Sequence, residues 1–263
     1  MIRTQPSAGA WNMAVDESLL ASVGRGISPP IVRFYAWEPP CLSLGYAQTA
    51  ACADLERLAA NGWGLVRRIT GGRAILHADE LTYAVIAPID EPRLAGGVLE
   101  SYRRLSEALL TGVQSLGAPV TAMAHNREKD VPVVCFELPS HYEITVGGKK
   151  LAGSAQARRK EGILQHGSLP LSGDLARITQ ALAYGDDNER DTAAQRLLSK
   201  ALTLESALGR RVSWDETDQA LAASFEEQLN LTLVPGALTP EECGMAEELV
   251  KEKYGHDDWN FRV

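Results

Sequence analysis

The chain has few cysteines, and no two of them are closely spaced. Among its 263 residues they are Cys41, Cys52, Cys135 and Cys243. Disulfide frameworks and zinc sites need cysteines in pairs at short, regular spacings. The sequence therefore indicates a reducing compartment, without a disulfide framework and without a metal centre.

Long apolar runs and an excess of basic residues are also missing. No apolar stretch approaches the ~20 residues of a membrane-spanning helix, and Asp16 and Glu17 interrupt the segment where a signal peptide would be apolar. With 26 basic and 34 acidic residues the net charge is −8, whereas nucleic-acid-binding proteins usually have a basic surface. We expect a soluble, cytoplasmic protein that binds neither membrane nor nucleic acid.

Basic residues are nevertheless concentrated in two segments. Arg67–Arg73 and Lys149–Lys160 contain eight basic residues in total and no acidic one. If the fold brings these segments together, they form a local positive site on an acidic protein. The alternative is that both are solvated loops.

One stretch places a cysteine and a lysine on neighbouring predicted strands. Strands are predicted over Val131–Cys135 and His141–Val146, and Gly147 and Gly148 are typical of a two-residue hairpin turn. Such a hairpin could bring Lys150 beside Cys135, where its ammonium group would stabilise the nucleophilic thiolate. The alternative is that Cys135 is a small buried hydrophobic residue and Lys150 a solvated turn residue.

A second stretch combines arginines with paired glycines. A predicted strand over Trp63–Val66 leads into Arg67-Arg68-Ile69-Thr70-Gly71-Gly72-Arg73. The glycines permit a tight turn whose N–H groups can approach a ligand, although a plain hairpin would have the same sequence. His77 is either a proton carrier or a satisfied hydrogen-bonding residue, and Gln165–Ser168 either line a site or only bond across the sheet.

The remaining pattern predicts alternating helices and strands. Helices are expected over Trp11–Val23, Ala50–Ala60, Leu99–Leu116 and Asp174–Ala183, strands over Ile31–Trp37, Cys41–Gly45, Leu81–Ala87 and Gly162–Leu171, and an irregular connection over Gly185–Gln195. Helices over Trp214–Gln228 and Pro240–Tyr254 begin after the capping residues Ser213 and Thr239. We expect residues 211–263 to form a small helical appendage packed on the main domain.

Four segments together resemble a known family. They read FYAWEPPCLSLGYAQ, RRITGGRAILHADELTYAV, VCFELPSHYEITVGGKKLAGSAQ and ILQHGSLPL. In this order, and with the terminal DDWNFR, they closely resemble the biotin/lipoate protein ligase superfamily, and within it the LipM-type octanoyltransferases. The resemblance implies an α+β fold, with a mixed, largely antiparallel sheet flanked by helices, and a catalytic domain over residues 1–210.

The resemblance also implies roles for particular residues. Cys135 matches the acyl-thioester nucleophile, and Lys150 matches the lysine that lowers its pKa. Arg68, Gly71, Gly72, Arg73 and His77 match the substrate-pocket motif, and Gly153 and Ser154 the facing segment. Many lipoate ligases of the superfamily have a third glycine at the position of Arg73, so their nucleotide pocket is not carried over.

The implied reaction moves octanoate from acyl carrier protein to Cys135, and then to a lysine of a lipoyl-domain protein such as glycine cleavage H protein. Because the donor is already a thioester, the resemblance implies no cofactor. Two alternatives remain at this point: an ATP-dependent lipoate–protein ligase, and a non-catalytic sensor of acylated carrier protein.

Overall fold

A seven-stranded mixed sheet forms the centre of the structure, a computed structural model that describes residues 1–123 and 143–263. Its strand order is β1-β2-β6-β10-β9-β8-β7, and only the pairing of β1 with β2 is parallel. These strands are β1 (Ile2–Arg3), β2 (Ile31–Tyr35), β6 (Glu80–Ala87), β7 (Thr121–Met123), β8 (Glu143–Val146), β9 (Lys149–Arg159) and β10 (Gly162–Pro170). The mixed, largely antiparallel sheet predicted from the sequence is confirmed.

A smaller sheet of three strands lies beside the large one, in the order β4-β3-β5. Its strands are β3 (Cys41–Leu44), β4 (Gly64–Arg67) and β5 (Ile75–His77). Leu42 and Leu44 of its central strand are fully buried against the apolar residues Ile178 and Leu197. The glycine turn, defined here as residues 69–73, connects β4 to β5 on the side that faces the large sheet.

Helices cover both faces of the large sheet. They are α1 (Gly9–Gly24), α2 (Leu55–Ala60), α3 (Val98–Ser115), α4 (Asp187–Lys200), α5 (Leu204–Leu208), α6 (Trp214–Leu229), α7 (Pro240–Leu249) and α8 (Asp257–Asn260). Strand β6 shows how both faces are buried, because its side chains alternate: Tyr83 and Val85 enter one apolar core, Ala84 and Ile86 the other. No helix within residues 1–123 and 143–263 has both the length and the apolar character to cross a membrane.

Most of the predicted elements are confirmed within a few residues, and three predictions are wrong in part. The helix predicted over Ala50–Ala60 is a 3₁₀ turn, Ala50–Cys52, followed by α2, because Asp54 caps the Arg57 N–H and starts a new helix. The segment predicted over Asp174–Ala183 is a 3₁₀ helix, Leu175–Gln180.

The largest difference is at Gly185–Gln195, where α4 replaces the predicted irregular connection. Asp186 accepts a hydrogen bond from the Glu189 N–H at the start of this helix. The exposed face of α4 is so rich in charge that the buried positions Ala193 and Leu197 give only a weak apolar period.

The last fifty residues contribute to both cores. Phe225 of α6 packs near Phe34, with ring centroids 6.2 Å apart, and Ser18 of α1 donates a hydrogen bond to the Glu242 carbonyl of α7 at 2.8 Å. The capping box predicted at Thr239 is confirmed. Division of the chain near residue 210 stays a prediction.

The C-terminal residues hold the strand that precedes the glycine turn. Arg67 is fully buried, and its guanidinium donates hydrogen bonds to the carbonyls of Asn260, Gly45 and Gln48, at 2.5–3.1 Å. The Asn260 side chain accepts from the Arg67 N–H at 2.8 Å, and the Trp259 indole donates to the Arg67 carbonyl, also at 2.8 Å. Through these hydrogen bonds the terminal motif DDWNFR holds β4 in position.

A buried ionic network joins α1 to the large sheet. Arg33 on β2 and Asp16 on α1 are 0% and 1% exposed, and an Arg33 Nη1–Asp16 Oδ1 contact of 2.6 Å pairs them. Asp16 Oδ2 accepts from Tyr35 at 2.9 Å and from His166 Nδ1 on β10 at 3.1 Å. Burial would raise the pKa of Asp16, but the charge of Arg33 and the bond from His166 outweigh it, so the pKa is lowered.

The substitution Asp16→Asn should destabilise the fold by about 3–5 kcal/mol, because it leaves the Arg33 guanidinium buried without its counter-charge. Urea unfolding measures the loss. The matched control is Glu17→Gln on the same helix, whose ion pair with Lys253 is partly exposed; it should cost less. A loss below about 1 kcal/mol for Asp16→Asn would show that the pair contributes little.

Stability should also fall with pH below about 6.5. Burial lowers the pKa of His166 from its ordinary value of 6.5, so the unfolded chain takes up a proton at this position before the folded one does. His166→Gln should flatten the dependence of the free energy of unfolding on pH just below 6.5. The control His256→Gln removes an exposed histidine, and a wild-type slope retained in His166→Gln would contradict the assignment.

Candidate functional site

A small enclosed cavity of about 20 Å³ lies where the two sheets meet. It is lined by Met13, Tyr35, Trp37, Arg68, Ile75, His77, Thr82, Gly153, Ser154, Ala155, His166, Gly167 and Ser168. Four residues that the sequence assigned to the substrate pocket, Arg68, His77, Gly153 and Ser154, are thus brought together.

The predicted His77 is held rigidly in this cavity. Its Nδ1 lies 2.7 Å from Glu80 Oε1, and its Nε2 lies 2.8 Å from Ser43 Oγ. A carboxylate only accepts hydrogen bonds, so Nδ1 is the donor to Glu80. The ring also stacks on Trp37 with centroids 3.9 Å apart. Both ring nitrogens are occupied, which agrees with the satisfied hydrogen-bonding alternative.

Glu80 is a residue that the sequence reasoning missed. Besides His77, it accepts hydrogen bonds from Thr82 and Ser168, both at 2.5 Å. The Thr82 hydroxyl in turn accepts from the Trp37 indole at 2.8 Å. A carboxylate at the first position of an otherwise uncharged strand was the available signal.

Arg68 connects the cavity to the glycine turn. Its guanidinium donates to the Ser43 carbonyl at 3.0 Å, to the Gly71 carbonyl at 2.9 Å and to the Arg73 carbonyl at 2.7 Å. Gly72 has a φ of +95°, and a Cβ atom there would lie 2.9 Å from Arg68 Nη2. The turn therefore needs glycine at this position, both for its backbone conformation and for the approach of Arg68.

His166 anchors the other side of the turn. Its Nε2 lies 2.7 Å from Thr70 Oγ1, and its Nδ1 faces Asp16. Burial lowers the pKa of His166, so the ring is neutral near pH 7, with Nδ1–H donating to Asp16 and Thr70 donating to Nε2. Of Gln165–Ser168, the residues His166, Gly167 and Ser168 line the cavity; that the cavity is a functional site stays a prediction.

Ser154 on β9 is fixed by a tyrosine from β6, on the far side of β10. Its Oγ lies 2.7 Å from Tyr83 Oη, which also accepts from Gln165 at 3.0 Å. A Cβ atom at Gly167 would lie 2.5 Å from both Ser154 Oγ and Tyr83 Cε1. Gly167 thus lets β9 and the Tyr83 ring approach each other, and this closes one wall of the cavity.

The polar side chains in the cavity wall are already bonded to the protein. Arg68, His77, Thr82, His166 and Ser168 each have the partners given above. Met13, Tyr35, Trp37 and Ile75 add apolar surface from both sheets and from α1. A ligand would therefore meet mainly hydrocarbon and aromatic surface, which suits an alkyl chain better than a polar group.

The other predicted pocket residues lie in a different place. Gly71, Gly72 and Arg73 line an open cleft outside the cavity, which we call the basic cleft. Its lining comprises Tyr46, Ala47, Gln48, Ile69, Gly71, Gly72, Arg73, Gln156, Ala157, Arg158 and Arg159.

The expected union of the two basic segments is confirmed only in part. Arg73 meets Arg158 and Arg159 in the basic cleft. Arg67 and Arg68 are buried beneath it, and Lys149 and Lys150 lie at the other end of β9.

Lys150 is buried and paired. It is 4% exposed, and its Nζ lies 2.5 Å from Glu143 Oε1 on β8 across the predicted hairpin. Gly147 and Gly148 adopt the expected positive φ values of +56° and +80°. The alternative of a solvated turn lysine is therefore wrong. A lysine and glutamate pair buried in this way is costly to desolvate, which is a common feature of functional sites.

Cys135, its predicted strand Val131–Cys135 and the first part of His141–Val146 lie outside the described residues. Two of the other cysteines have the structural character expected of them. Burial raises the pKa of Cys41 to about 12, and burial also raises that of Cys52. Neither is suited to act as a thiolate near neutral pH.

Comparison with known proteins agrees with this architecture. The lipoyl protein ligase A/B catalytic domain family matches residues 8–226. An octanoyltransferase LipM from Symbiobacterium thermophilum is 44% identical, over 100% of this chain and 97% of that protein. One from Brevibacillus brevis is 42% identical over 99% and 98%.

A solved structure shows the same fold. It is the bipartite lipoate protein ligase of Thermoplasma acidophilum, described with its E2 lipoyl domain. The alignment has a TM-score of 0.82 and 27% identity, and covers 99% of this chain and 94% of that one. The chain therefore belongs to the lipoyl protein ligase A/B catalytic domain family, and it is an acyltransferase of the octanoyltransferase type that acts in lipoate biosynthesis.

Proposed function

We propose that the enzyme takes octanoate from the thioester of acyl carrier protein and passes it, through Cys135, to a lysine of a lipoyl-domain protein such as glycine cleavage H protein. The observation that carries this proposal is the enclosed cavity, in which every polar side chain of the wall named above already has a protein partner. A wall of this composition favours a saturated acyl chain over a polar group.

The chemistry would proceed in two balanced steps. The Cys135 thiolate attacks the thioester carbonyl, a new C–S bond forms, and the bond to the carrier's sulfur breaks as that thiolate leaves and takes up a proton. The acceptor lysine amine then attacks the acyl-cysteine, a C–N bond forms, and the Cys135 sulfur leaves while the nitrogen loses a proton. Exchange between thioesters is nearly balanced and amide formation is downhill, so no nucleotide is consumed.

Lys150 would keep the Cys135 sulfur ionised. The Glu143 carboxylate holds the Lys150 ammonium at 2.5 Å within the fold, and a fixed positive charge near a thiol favours the thiolate. Within this proposal Arg68, His77, Gly153 and Ser154 would bind the acyl end of the substrate, and Gly71, Gly72 and Arg73 would bind its continuation outside the cavity.

An assay of transfer to an apo lipoyl domain tests the proposal. Octanoyl-acyl carrier protein should donate octanoate without ATP or magnesium. Free octanoate with ATP is the matched comparison, because an ATP-dependent ligase would use that pair instead. Transfer seen only with free octanoate and ATP would replace the proposal with the ligase alternative.

Replacing the proposed nucleophile should stop both steps. Cys135→Ala should give no octanoyl-enzyme in intact-mass measurement, and should lower the rate of transfer by at least about 10³-fold, as expected when a covalent nucleophile is lost. The control Cys243→Ser changes a partly exposed cysteine on α7 and should keep both signals. A normal rate in Cys135→Ala would rule out the thioester route.

Labelling with iodoacetamide tests the role of Lys150. The midpoint of Cys135 labelling against pH should lie below the value of about 8.5 for a free cysteine, and should rise in Lys150→Ala. The matched control is Lys149→Ala, the adjacent exposed lysine, whose ammonium donates to the Leu198 carbonyl instead. Equal midpoints in wild type and Lys150→Ala would leave Lys150 only a role in orienting a substrate.

A further inference from the structure

In the part of the chain that the structure describes, the lining of the basic cleft has positive side chains and no carboxylate. Arg73, Arg158 and Arg159 reach it from the glycine turn and from the end of β9. At its rim Arg262 stacks on the Tyr46 ring, with its guanidinium carbon 3.8 Å from the ring centroid. A cleft of this composition attracts anions.

Two of these guanidinium groups are little used by the protein itself. Arg73 has no hydrogen bond or ion pair from its side chain to any residue in the described ranges. Within the described residues, Arg159 donates one long hydrogen bond of 3.5 Å to the Ile69 carbonyl, and its guanidinium carbon lies 5.8 Å from the centroid of the Tyr46 ring. By contrast, Arg158 donates to the Leu94 carbonyl at 2.8 Å. Arg73 and Arg159 can therefore turn toward a ligand without breaking a strong bond.

The backbone of the glycine turn adds donors to the same cleft. Among residues 1–123 and 143–263, none accepts a hydrogen bond from the N–H groups of Gly71 or Gly72. The space where a Cβ of Gly71 would lie is open. Free amides in a turn with positive φ are a common way to bind a phosphate.

The cleft also adjoins the enclosed cavity at two points. Arg68 lines the cavity and holds the Gly71 and Arg73 carbonyls of the cleft. On β9, Ala155 lines the cavity and the next residue, Gln156, lines the cleft. The cavity and the cleft therefore lie next to each other along the glycine turn and β9.

The geometry points to an anion subsite in the basic cleft, formed by Arg73, Arg159 and the glycine turn, for the phosphodiester of the arm that carries the acyl thioester. This inference rests on the proposed function. An acyl carrier protein holds its acyl group on a pantetheine arm joined to the protein by a phosphodiester, so that group follows the acyl chain into the site. Arginine matches phosphate oxygens in a planar, two-point geometry that a lysine cannot supply.

An acidic protein surface is a different occupant that the same charge would attract, and the position of the cleft argues against it. The turn amides and Arg73 lie directly beside Arg68 at the cavity wall. An arm that delivers its acyl chain to the cavity passes along the glycine turn, whereas the surface of the carrier protein remains outside. The acceptor lysine has no anionic group on its side chain to fill it.

Two small donors that differ only in the phosphate test the inference. They are octanoyl-pantetheine and octanoyl-4′-phosphopantetheine, each used with the full-length enzyme and an apo lipoyl domain. The wild type should prefer the phosphorylated donor by about tenfold or more in kcat/KM, as expected for a charge-assisted contact. In the variant Arg73→Gln/Arg159→Gln this preference should fall toward one. Arg211→Gln, which changes an arginine 86% exposed, is the control and should keep the preference.

Equal kcat/KM for the two donors in the wild type would overturn the subsite while leaving the proposed function intact. A preference that persists in the double variant would also overturn it. So would an effect of the two substitutions that appears only with the whole carrier protein, because the cleft would then contact the protein surface. Failure of both donors, with transfer restored by octanoate and ATP, would overturn the proposed function and this inference with it.

Discussion

The buried Asp16 carboxylate is the interaction on which the site depends. It accepts bonds from Arg33 and Tyr35 on β2 and from His166 on β10, and so ties α1 to two strands of the large sheet. Through His166 the same network reaches Thr70, the residue that precedes the two glycines. A charged network this deep is costly to bury, and it holds one geometry only while all its members are paired. The glycine turn is therefore positioned from the core of the protein.

The glycine turn separates two environments. On its inner side Arg68, His77 and His166 use their polar atoms on the protein, and the cavity presents mainly apolar surface. On its outer side Arg73 and Arg159 face an open cleft. An acyl group attached to an anionic carrier is likewise apolar at one end and borne by a charged group at the other. This chain shares its fold with the solved lipoate protein ligase. It has Arg73 at the edge of the glycine turn.

Much of this could be predicted from the sequence because it is local or periodic. Strands such as β6 and helices such as α3 are long and strongly patterned, and Gly147-Gly148 and Thr239 with Glu242 are short signals with a direct physical cause. The paired glycines and arginines of residues 67–73 also indicated a ligand site.

The rest depends on contacts between residues distant in sequence. Glu143 pairs with Lys150 across a hairpin, and Arg67 donates hydrogen bonds to Asn260 from the far end of the chain. Which basic residues meet in the cleft depends on the direction of β9, and its eleven residues place Lys149 and Arg159 at opposite ends. The charge of α4 obscured its apolar period. Such contacts can be identified only when the order and direction of the strands in the sheets are known.

The most direct test of the account is a crystal structure of the protein after reaction with an octanoyl thioester. Continuous electron density for the alkyl chain should run from the Cys135 sulfur into the enclosed cavity, in contact with Met13 and Trp37 and beside Gly153. An alkyl chain found elsewhere, for example in the apolar groove between Val32 and Leu233, would contradict it.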